Sequence, residues 1–467
     1  MTATDWTRRE MLKAAGAAGS ALFWPVGAAA QEATTDAREL GTPATYEWKK
    51  PSRALTAIVI GAGGRGNVYA SYARGQPEEW RIAGVAEPLR HRNERMAGAY
   101  GIPEANRFAT WQHVFDRPKF ADVCLITTPD HLHYAPAMMA LERGYDLLLE
   151  KAIAQSWREC KDILRLAQRK GAIVGIGHVL RYAPFFRQMH HIVQAGRIGK
   201  LASVQHLEPV EHVHMSHSFV RGNWRNATES NPMLLSKSCH DLDILRWIIG
   251  KPCRKVQSFG SLALFRNEMA PPGAPARCTE GCPVESTCPF SALRIYLREH
   301  LWGTHHLAIP DDSPESIMTA LRQGPYGKCV YHNDNDVVDH QVVNMEFEGG
   351  ATAAFSMEGL TSYGGRRTRI TGTEGDIAGD ERTLDVFEFS TRRRYRWDVT
   401  QHAGALGGHG GGDHGLVRDF VQAVSRRDPS LLTSSLEAAM ESHLIAFKAE
   451  ESRAKGGQVI EVDISTM

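Results

Sequence analysis

The hydrophobic positions of this 467-residue chain change character along its length. Up to about residue 177 they come as short unbroken runs: Ala57-Ile-Val-Ile60, Arg81-Ile-Ala-Gly-Val-Ala-Glu87, Ala121-Asp-Val-Cys-Leu-Ile-Thr-Thr128, Asp146-Leu-Leu-Leu-Glu150 and Ile173-Val-Gly-Ile-Gly177. Runs this short and this apolar predict strands buried on both faces of a sheet. Residues 67–73, 90–100 and 135–143 between them have helical composition, and 111–115 begins another helix. Strands alternating with helices predict βαβ units, a doubly wound parallel sheet and right-handed crossovers. Beyond residue 177 the pattern becomes one of alternation. Residues 203–208, 256–265, 342–348, 351–356 and 367–371 read as strands of another sheet, with Glu348-Gly-Gly350 as a hairpin turn. Helices are expected at 416–426 and 435–452, and a last strand at 458–464.

The first buried run leads straight into Gly61-Ala-Gly-Gly-Arg65-Gly66, which has the spacing G-x-G-x-x-G. Gly61 permits the tight turn, Gly63 lets the backbone approach a pyrophosphate, and Gly66 lets helix and strand pack closely. The helix that follows presents free N–H groups and a positive dipole to the phosphates. Glu87 ends the second strand about 20 residues beyond the third glycine, where a carboxylate takes the ribose hydroxyls and repels a 2′-phosphate. The reading is an N-terminal Rossmann domain holding a nicotinamide dinucleotide, NAD in preference to NADP. Ligands of such sheets sit at the carboxyl ends of the strands. That places Thr128, Pro129, His131, His133, Glu150 and Lys151 along one cleft.

The length exceeds one ordinary core, and the domains expected are a Rossmann domain at 54–177 and a substrate-binding α+β domain at 178–467. With 54 Lys and Arg against 53 Asp and Glu, the net charge of +1 supplies no field for a nucleic acid or an anionic membrane surface. The mature chain has no apolar run long enough to span a bilayer. The first 30 residues stand apart. Thr7-Arg8-Arg9-Glu-Met-Leu-Lys13 precedes an Ala/Gly-rich apolar run ending at Ala28-Ala-Ala30, and this resembles a twin-arginine export signal. The expectation is a periplasmic or secreted protein that folds and acquires its nucleotide before export. Residues 31–53, polar and containing Pro43 and Pro51, read as an arm or linker.

Three clusters remain. Cys278, Cys282 and Cys288 lie in a proline-rich loop at 277–289. Three thiolates need one more ligand for tetrahedral zinc, which Cys329, Cys253 or a histidine would supply. The alternatives are a disulfide, suited to an exported protein, and plain packing. His206, His212, His214 and His217 follow one another closely, with His212 and His214 expected on one strand face. Substrate hydrogen bonding or exposure is favoured there over a second metal. The glycine-rich stretch 402–415, with His409 and His414, reads as a loop over the active site.

Taken together, G-x-G-x-R-G, Thr128-Pro129-x-x-x-His133 and Glu150-Lys151 resemble the glucose–fructose oxidoreductase / inositol dehydrogenase / MocA family. The resemblance implies that Lys151 sits beside the nicotinamide and polarises or deprotonates a substrate hydroxyl. It implies a second domain built on an open mixed sheet, with substrate contacts near Arg181 and Tyr182 at the domain junction. It also implies a homo-oligomer packed through that sheet. In Leu235-Ser-Lys-Ser-Cys-His-Asp-Leu-Asp243 it marks His240 as the residue near the sugar. On a helix His240 and Asp243 share a face, so Asp243 is expected to orient the imidazole. The chain departs from the family at Ala152, usually proline, and at Ser236 and Ser238, usually aspartate and glycine. Lys237 beside them is a candidate helper. The function expected is exported, NAD-dependent oxidation of a secondary hydroxyl of a sugar, cyclitol or glycoside. One alternative is an NAD-dependent glycoside hydrolase acting by transient oxidation and elimination. Another is a non-catalytic sugar-binding protein.

Overall fold

In the computed structural model of the chain, residues 35–402 and 408–466 are described. The expected export signal at 1–30 lies outside them. The first sheet comprises β1 (Leu55–Ile60), β2 (Trp80–Ala86), β3 (Arg107–Phe108), β4 (Val123–Ile126), β5 (Asp146–Leu149) and β6 (Val174–Ile176), ordered β3-β2-β1-β4-β5-β6. Every pairing is parallel. The unbroken apolar runs have their reason here. Along β1, Ala57 and Val59 enter one core with Tyr69, Trp80 and Phe420, while Ile58 and Ile60 enter another with Leu141, Ile163 and Met440. The strand order reverses between β1 and β4, and the crevice above their carboxyl ends is where this topology binds ligands.

The stretch 54–177 does not close its own cores. Helix α1 (Gly64–Gly75) lies on one face of the sheet, and a helix from the far end of the chain, α3 (Gly412–Arg426), joins it with Leu416, Val417 and Phe420. Between the domains α4 (Leu436–Ala454) gives Ala439 and Met440 to the first domain's core, and Leu444, Ile445 and Ala449 to the second's.

The second sheet comprises β7 (Leu201–Pro209), β8 (Cys253–Ser261), β9 (His340–Phe347), β10 (Thr352–Glu358), β11 (Arg367–Gly372), β12 (Gly375–Gly379), β13 (Thr383–Glu388), β14 (Arg394–Asp398) and β15 (Ile460–Glu461), ordered β14-β13-β12-β11-β7-β10-β9-β8-β15. It is mixed: β7 and β10 run parallel, the other neighbours antiparallel. Strand β9 alternates perfectly, Val343, Met345 and Phe347 inward and His340, Asn344 and Glu346 outward. The buried face packs against α2 (Cys239–Ile249), the carrier of the expected histidine, and α4. The fold class is that expected: a Rossmann sheet followed by an α+β domain with an open mixed sheet. Strands β12 to β14 were not anticipated, because only Ile377, Leu384, Val386, Tyr395 and Trp397 point inward among many charges. The final strand is only Ile460–Glu461, shorter than expected, at the sheet edge.

From residue 35 onward the stretch before β1 is a docked arm. Thr35 bridges to Tyr395, and the Tyr46 hydroxyl donates to Asp419 at 2.7 Å. Between β8 and β9 lies an insertion with a small core of its own, including Ile295, Tyr296, Leu307 and Leu321. Among the described residues no helix is long and apolar enough to cross a membrane.

Candidate active site

The glycine turn shows which of its residues serve packing and which leave room. Gly61 has φ +97°, and a Cβ there would lie 2.8 Å from the Thr127 carbonyl oxygen. A Cβ on Gly66 would lie 2.2 Å from the Gly61 carbonyl oxygen. At Gly63 only Arg92 comes within 4 Å, at 3.9 Å, so the turn is open there. Helix α1 starts at this point with no side-chain cap, leaving its first N–H groups for an anion. Glu87 is buried and accepts from the Ala62 N–H at 2.8 Å and the Leu89 N–H at 3.0 Å, which holds its carboxylate against the turn. These residues fit a dinucleotide: an open, uncapped helix start for the pyrophosphate and a carboxylate for the ribose. Glu87→Ser is expected to raise the ratio of NADP to NAD activity tenfold or more, since like charges brought together cost several kcal/mol. Comparing kcat/KM for the two nucleotides checks it.

Several residues expected to touch the cofactor instead hold one another. Arg65 donates through Nε to Glu150 at 2.6 Å and lies 2.9 Å from Asp413. The Tyr69 hydroxyl donates to the same Glu150 oxygen at 2.5 Å. Burial opposes the Glu150 charge, yet Arg65 and Lys151 bring its carboxyl below the usual range. This clamp ties the glycine turn to the end of β5 and to the start of α3. The ring nitrogens of His133 lie 2.6 Å from the Ala152 carbonyl and 2.9 Å from the Thr128 carbonyl, so His133 is also a structural pin. Thr128 donates its hydroxyl to the Leu132 carbonyl, and His131, two residues beyond Pro129 in the loop after β4, is exposed. Between them Asp130, passed over in the sequence, is buried and accepts from Trp224 Nε1 at 2.8 Å and Asn231 Nδ2 at 3.1 Å. It joins the two domains across the cleft. Its place inside the Thr-Pro-x-x-x-His motif was the signal that could have found it.

Lys151 follows β5, and the peptide from it to Ala152 is cis. Its ammonium reaches across the cleft to donate to the Ser236 carbonyl and lies 5.9 Å from the Trp224 ring. His240 stands on the first turn of α2, buried, with no partner at Nδ1. Burial first, then Lys151, His178 and His409, hold its imidazole well below the usual value. At working pH it is a neutral base with a free ring nitrogen, beside a cation.

The expected pairing of His240 with Asp243 does not form. Asp243 is taken by Arg181 in a two-point pair, at 2.6 and 2.7 Å, and accepts also from Ser442 at 3.3 Å. A guanidinium fork matches a carboxylate better than one ring nitrogen does. Arg181 and Tyr182 are corrected with it as substrate residues. Arg181 is buried and spends its remaining donors on Thr433 and Ala438, and the Tyr182 hydroxyl is bonded to Ser434. Because removing one partner leaves a buried charge alone, Arg181→Met is expected to cost about 3–5 kcal/mol of stability. Urea unfolding measures it.

Lys237 is ion-paired with Glu208 at 2.8 Å. Glu208 also meets Arg366, which bonds to Asp241 at 2.6 Å, and Asp241 lies 3.1 Å from His206 Nε2. These side chains form one largely buried charged network. His212 and His214 lie on a short helix, not a strand: Pro209 ends β7, and Glu211, with φ +66°, caps the Val213 and His214 N–H groups with its carboxylate. His214 stacks on Trp302 of the insertion at 4.8 Å. Its imidazole is lowered by burial first, then by the charges of Lys237 and Lys151. His409 lies 3.1 Å from Asp413, with its ring 6.1 Å from that of His240.

His178 and His443 lie behind His240, lowered mainly by burial to about 4 and about 3. The unfolded chain takes a proton at each near pH 6.5. Between those values the unfolded state binds more protons, so stability falls as pH drops from about 6.5 toward 4. Urea midpoints that stay level between pH 7 and pH 5 would refute this.

Zinc at Cys278, Cys282 and Cys288 is not supported. Among the described residues no group of three His, Cys, Asp or Glu is close enough to hold a metal ion. The loop spreads these cysteines around a cavity instead of converging them on a point. All eight cysteines are free thiols, so the disulfide is absent as well.

The NAD-binding Rossmann profile of the GFO_IDH_MocA oxidoreductase family matches residues 55–178, and the profile of its C-terminal alpha/beta domain matches 191–462. YteT of Bacillus subtilis (strain 168), whose name states only the oxidoreductase class, is 27% identical over 317 residues, 64% of this chain and 72% of that protein. The scyllo-inositol 2-dehydrogenase (NAD(+)) of the same organism is 25% identical over 212 residues, 44% of this chain and 58% of the relative, so less than two thirds of that protein is matched. The structure of an inositol dehydrogenase homologue from Azotobacter vinelandii, complexed with NADH and myo-inositol, superposes with a TM-score of 0.63 at 14% identity, over 88% of this chain and 99% of that one. That likeness is one of fold. With both domain profiles matched across most of its length, the chain belongs to the Gfo/Idh/MocA family of NAD-binding oxidoreductases.

Proposed function

We propose that this protein oxidises a secondary hydroxyl of a sugar, cyclitol or glycoside, with NAD held in the crevice above β1 and β4. The observation that carries the reading is that Lys151, from the first domain, reaches across the cleft to the Ser236 carbonyl, four residues before His240 in the second. A carbinol carbon gives up hydride only as its hydroxyl loses a proton. His240, neutral, takes that proton, and the Lys151 ammonium stabilises the oxygen as it becomes negative. When bound, nicotinamide supplies the hydride acceptor. The Lys237–Glu208 pair, His214 and Trp302 offer a polyol charged hydrogen-bond partners and an aromatic face. The inositol substrates named for the relatives support this class of substrate.

We further propose export by the twin-arginine route, from Arg8 and Arg9. Outside the cytoplasm no free nucleotide pool exists, so the cofactor is retained and recycled. Homo-oligomer formation through the open face of the second sheet belongs to the same proposal. The pairing of Lys237 with Glu208 favours oxidation over the eliminating hydrolase, which needs one more free base. The purified protein, with its bound nucleotide, is mixed with a panel of sugars, cyclitols and glycosides while reduced nicotinamide and released sugar are followed. A lasting rise in reduced nicotinamide matching the enzyme concentration, with a keto product, is the result expected. Repeated turnover to free sugar without net reduction overturns it.

A further inference from the structure

Residues 302–307, part of the insertion between β8 and β9, lie against the glycine turn of the first domain. A Cβ on Gly64, the first residue of α1, would lie 4.0 Å from His306 Cε1 and, among the described residues, would meet nothing else within 4 Å outside its own helix. At Gly63 the one such neighbour is Arg92 Nη1, at 3.9 Å. Arg92 comes from the helix Arg90–Tyr100, which follows β2 and Glu87. Its guanidinium has no carboxylate partner among the described residues. The uncapped start of α1 is thus flanked by a free guanidinium from its own domain and an imidazole from the other.

The imidazole is held in place by packing. Leu307 is buried in the insertion's own core with Ile295 and Leu321. The Trp302 ring lies 4.8 Å from that of His214 and 4.9 Å from that of His217. The His306 ring lies 5.0 Å from that of His217. His217 is itself fixed, stacked on Tyr326 at 4.6 Å and bonded through Nδ1 to the Tyr296 hydroxyl at 2.6 Å. A group of rings anchored in the second domain therefore sets His306 against the first. Burial, then the charges of His305 and Arg92, lower the His306 imidazole to about 4. As the protein stands it is a neutral hydrogen-bond donor, and Arg92 is the charge beside the turn.

We propose that residues 302–307 form a strap across the nucleotide, in which His306 donates to the pyrophosphate received by the glycine turn and so retains the cofactor between turnovers. The inference rests on the reading of that turn as an NAD site, and goes beyond it by giving a residue of the insertion to the cofactor. A pyrophosphate presents anionic oxygens on every side. The N–H groups of α1 meet only those that face the turn, which leaves others for a donor opposite. A donor already fixed among packed rings loses little freedom on binding, so most of its bond energy is kept as affinity. The nucleotide is then gripped by both domains, and it leaves only when His306 is displaced. Slow release is what an enzyme that recycles one bound cofactor requires.

The test is the rate at which the full chain, loaded with NADH, loses it to an excess of NAD, followed by nicotinamide fluorescence. His306→Ala is expected to release NADH about ten- to a hundredfold faster, the worth of one hydrogen bond to a charged group. Release of ADP-ribose, which carries the pyrophosphate and no nicotinamide, is expected to quicken by the same factor. Trp302→Ala, which removes a ring packed beside His306, is expected to act in the same direction. His332→Ala, at an insertion histidine bonded instead to Asn267 and Ala274, keeps the wild-type rate. A wild-type rate in His306→Ala, an effect on NADH alone, or an equal effect of His332→Ala overturns the strap and leaves the NAD site standing. Wild-type protein that takes up no dinucleotide overturns both.

Discussion

His240→Asn is expected to lower kcat by about 10²–10⁴-fold, the range contributed by one positioned acid–base group, with the bound nucleotide unchanged. The side chain is buried against Lys151, His178 and His409, and its Nδ1 has no bond within the protein to lose. Asparagine fills much of the volume but does not take a proton near neutral pH. The pH profile separates a catalytic role from a structural one. Burial and the neighbouring cations lower His240, so the acid limb of kcat/KM lies below the free imidazole's value of about 6.5. That limb disappears in the variant. A variant with wild-type kcat, or a wild-type acid limb at pH 6.5, removes His240 from the role of base.

Lys151→Met is expected to cost about 10²–10³-fold in kcat, the loss found on deleting one donor that stabilises a developing negative oxygen. Lys151→Arg does not restore it. The compact ammonium donates to the Ser236 carbonyl and fits between that carbonyl and the Trp224 ring, and a planar fork has a different reach. The effect falls on kcat more than on KM, because the charge it stabilises exists only in the transition state. In the double variant the losses are not additive, since both residues act on the same oxygen and proton. A Lys151→Met variant that loses only substrate affinity would assign the residue to binding alone.

Much of the site was legible because its signals are short in range. The glycines at 61, 63 and 66 sit within one turn, and Glu87 lies one strand further on. Lys151 follows an apolar strand in a Glu-Lys pair that resembles the family's, although Ala152 stands where that family usually has proline. The roles of the charged groups were less legible. Arg65 and Glu150 sit in recognised motifs, yet they are joined to each other, to Tyr69 and to Asp413 from the start of α3. His133 looked like a ligand contact and pins two carbonyl groups. His212 and His214 alternate as on a strand, but Pro209 and the cap at Glu211 turn the chain into a helix first.

The sequence by itself determined two sheets of different kinds, the carboxyl-end cleft and the nucleotide turn, and it named Lys151 and His240 as candidates for the reaction proposed above. The sheets, the cleft and the turn follow from hydrophobic period and from glycines whose purpose is steric, both of which act over a few residues, whereas the two candidates are what the family resemblance implies. Tertiary structure alone decided the partners. Asp243 chose Arg181, 62 residues away, over His240 three residues before it, because burial selects the pairing that satisfies most donors and acceptors at once. In the same way α3 and α4 return to complete a domain that seemed closed at residue 177, since neither face of a parallel sheet is stable while wet. Local pattern names the residues able to act. Only the long-range packing of the chain decides which of them are left free to do so.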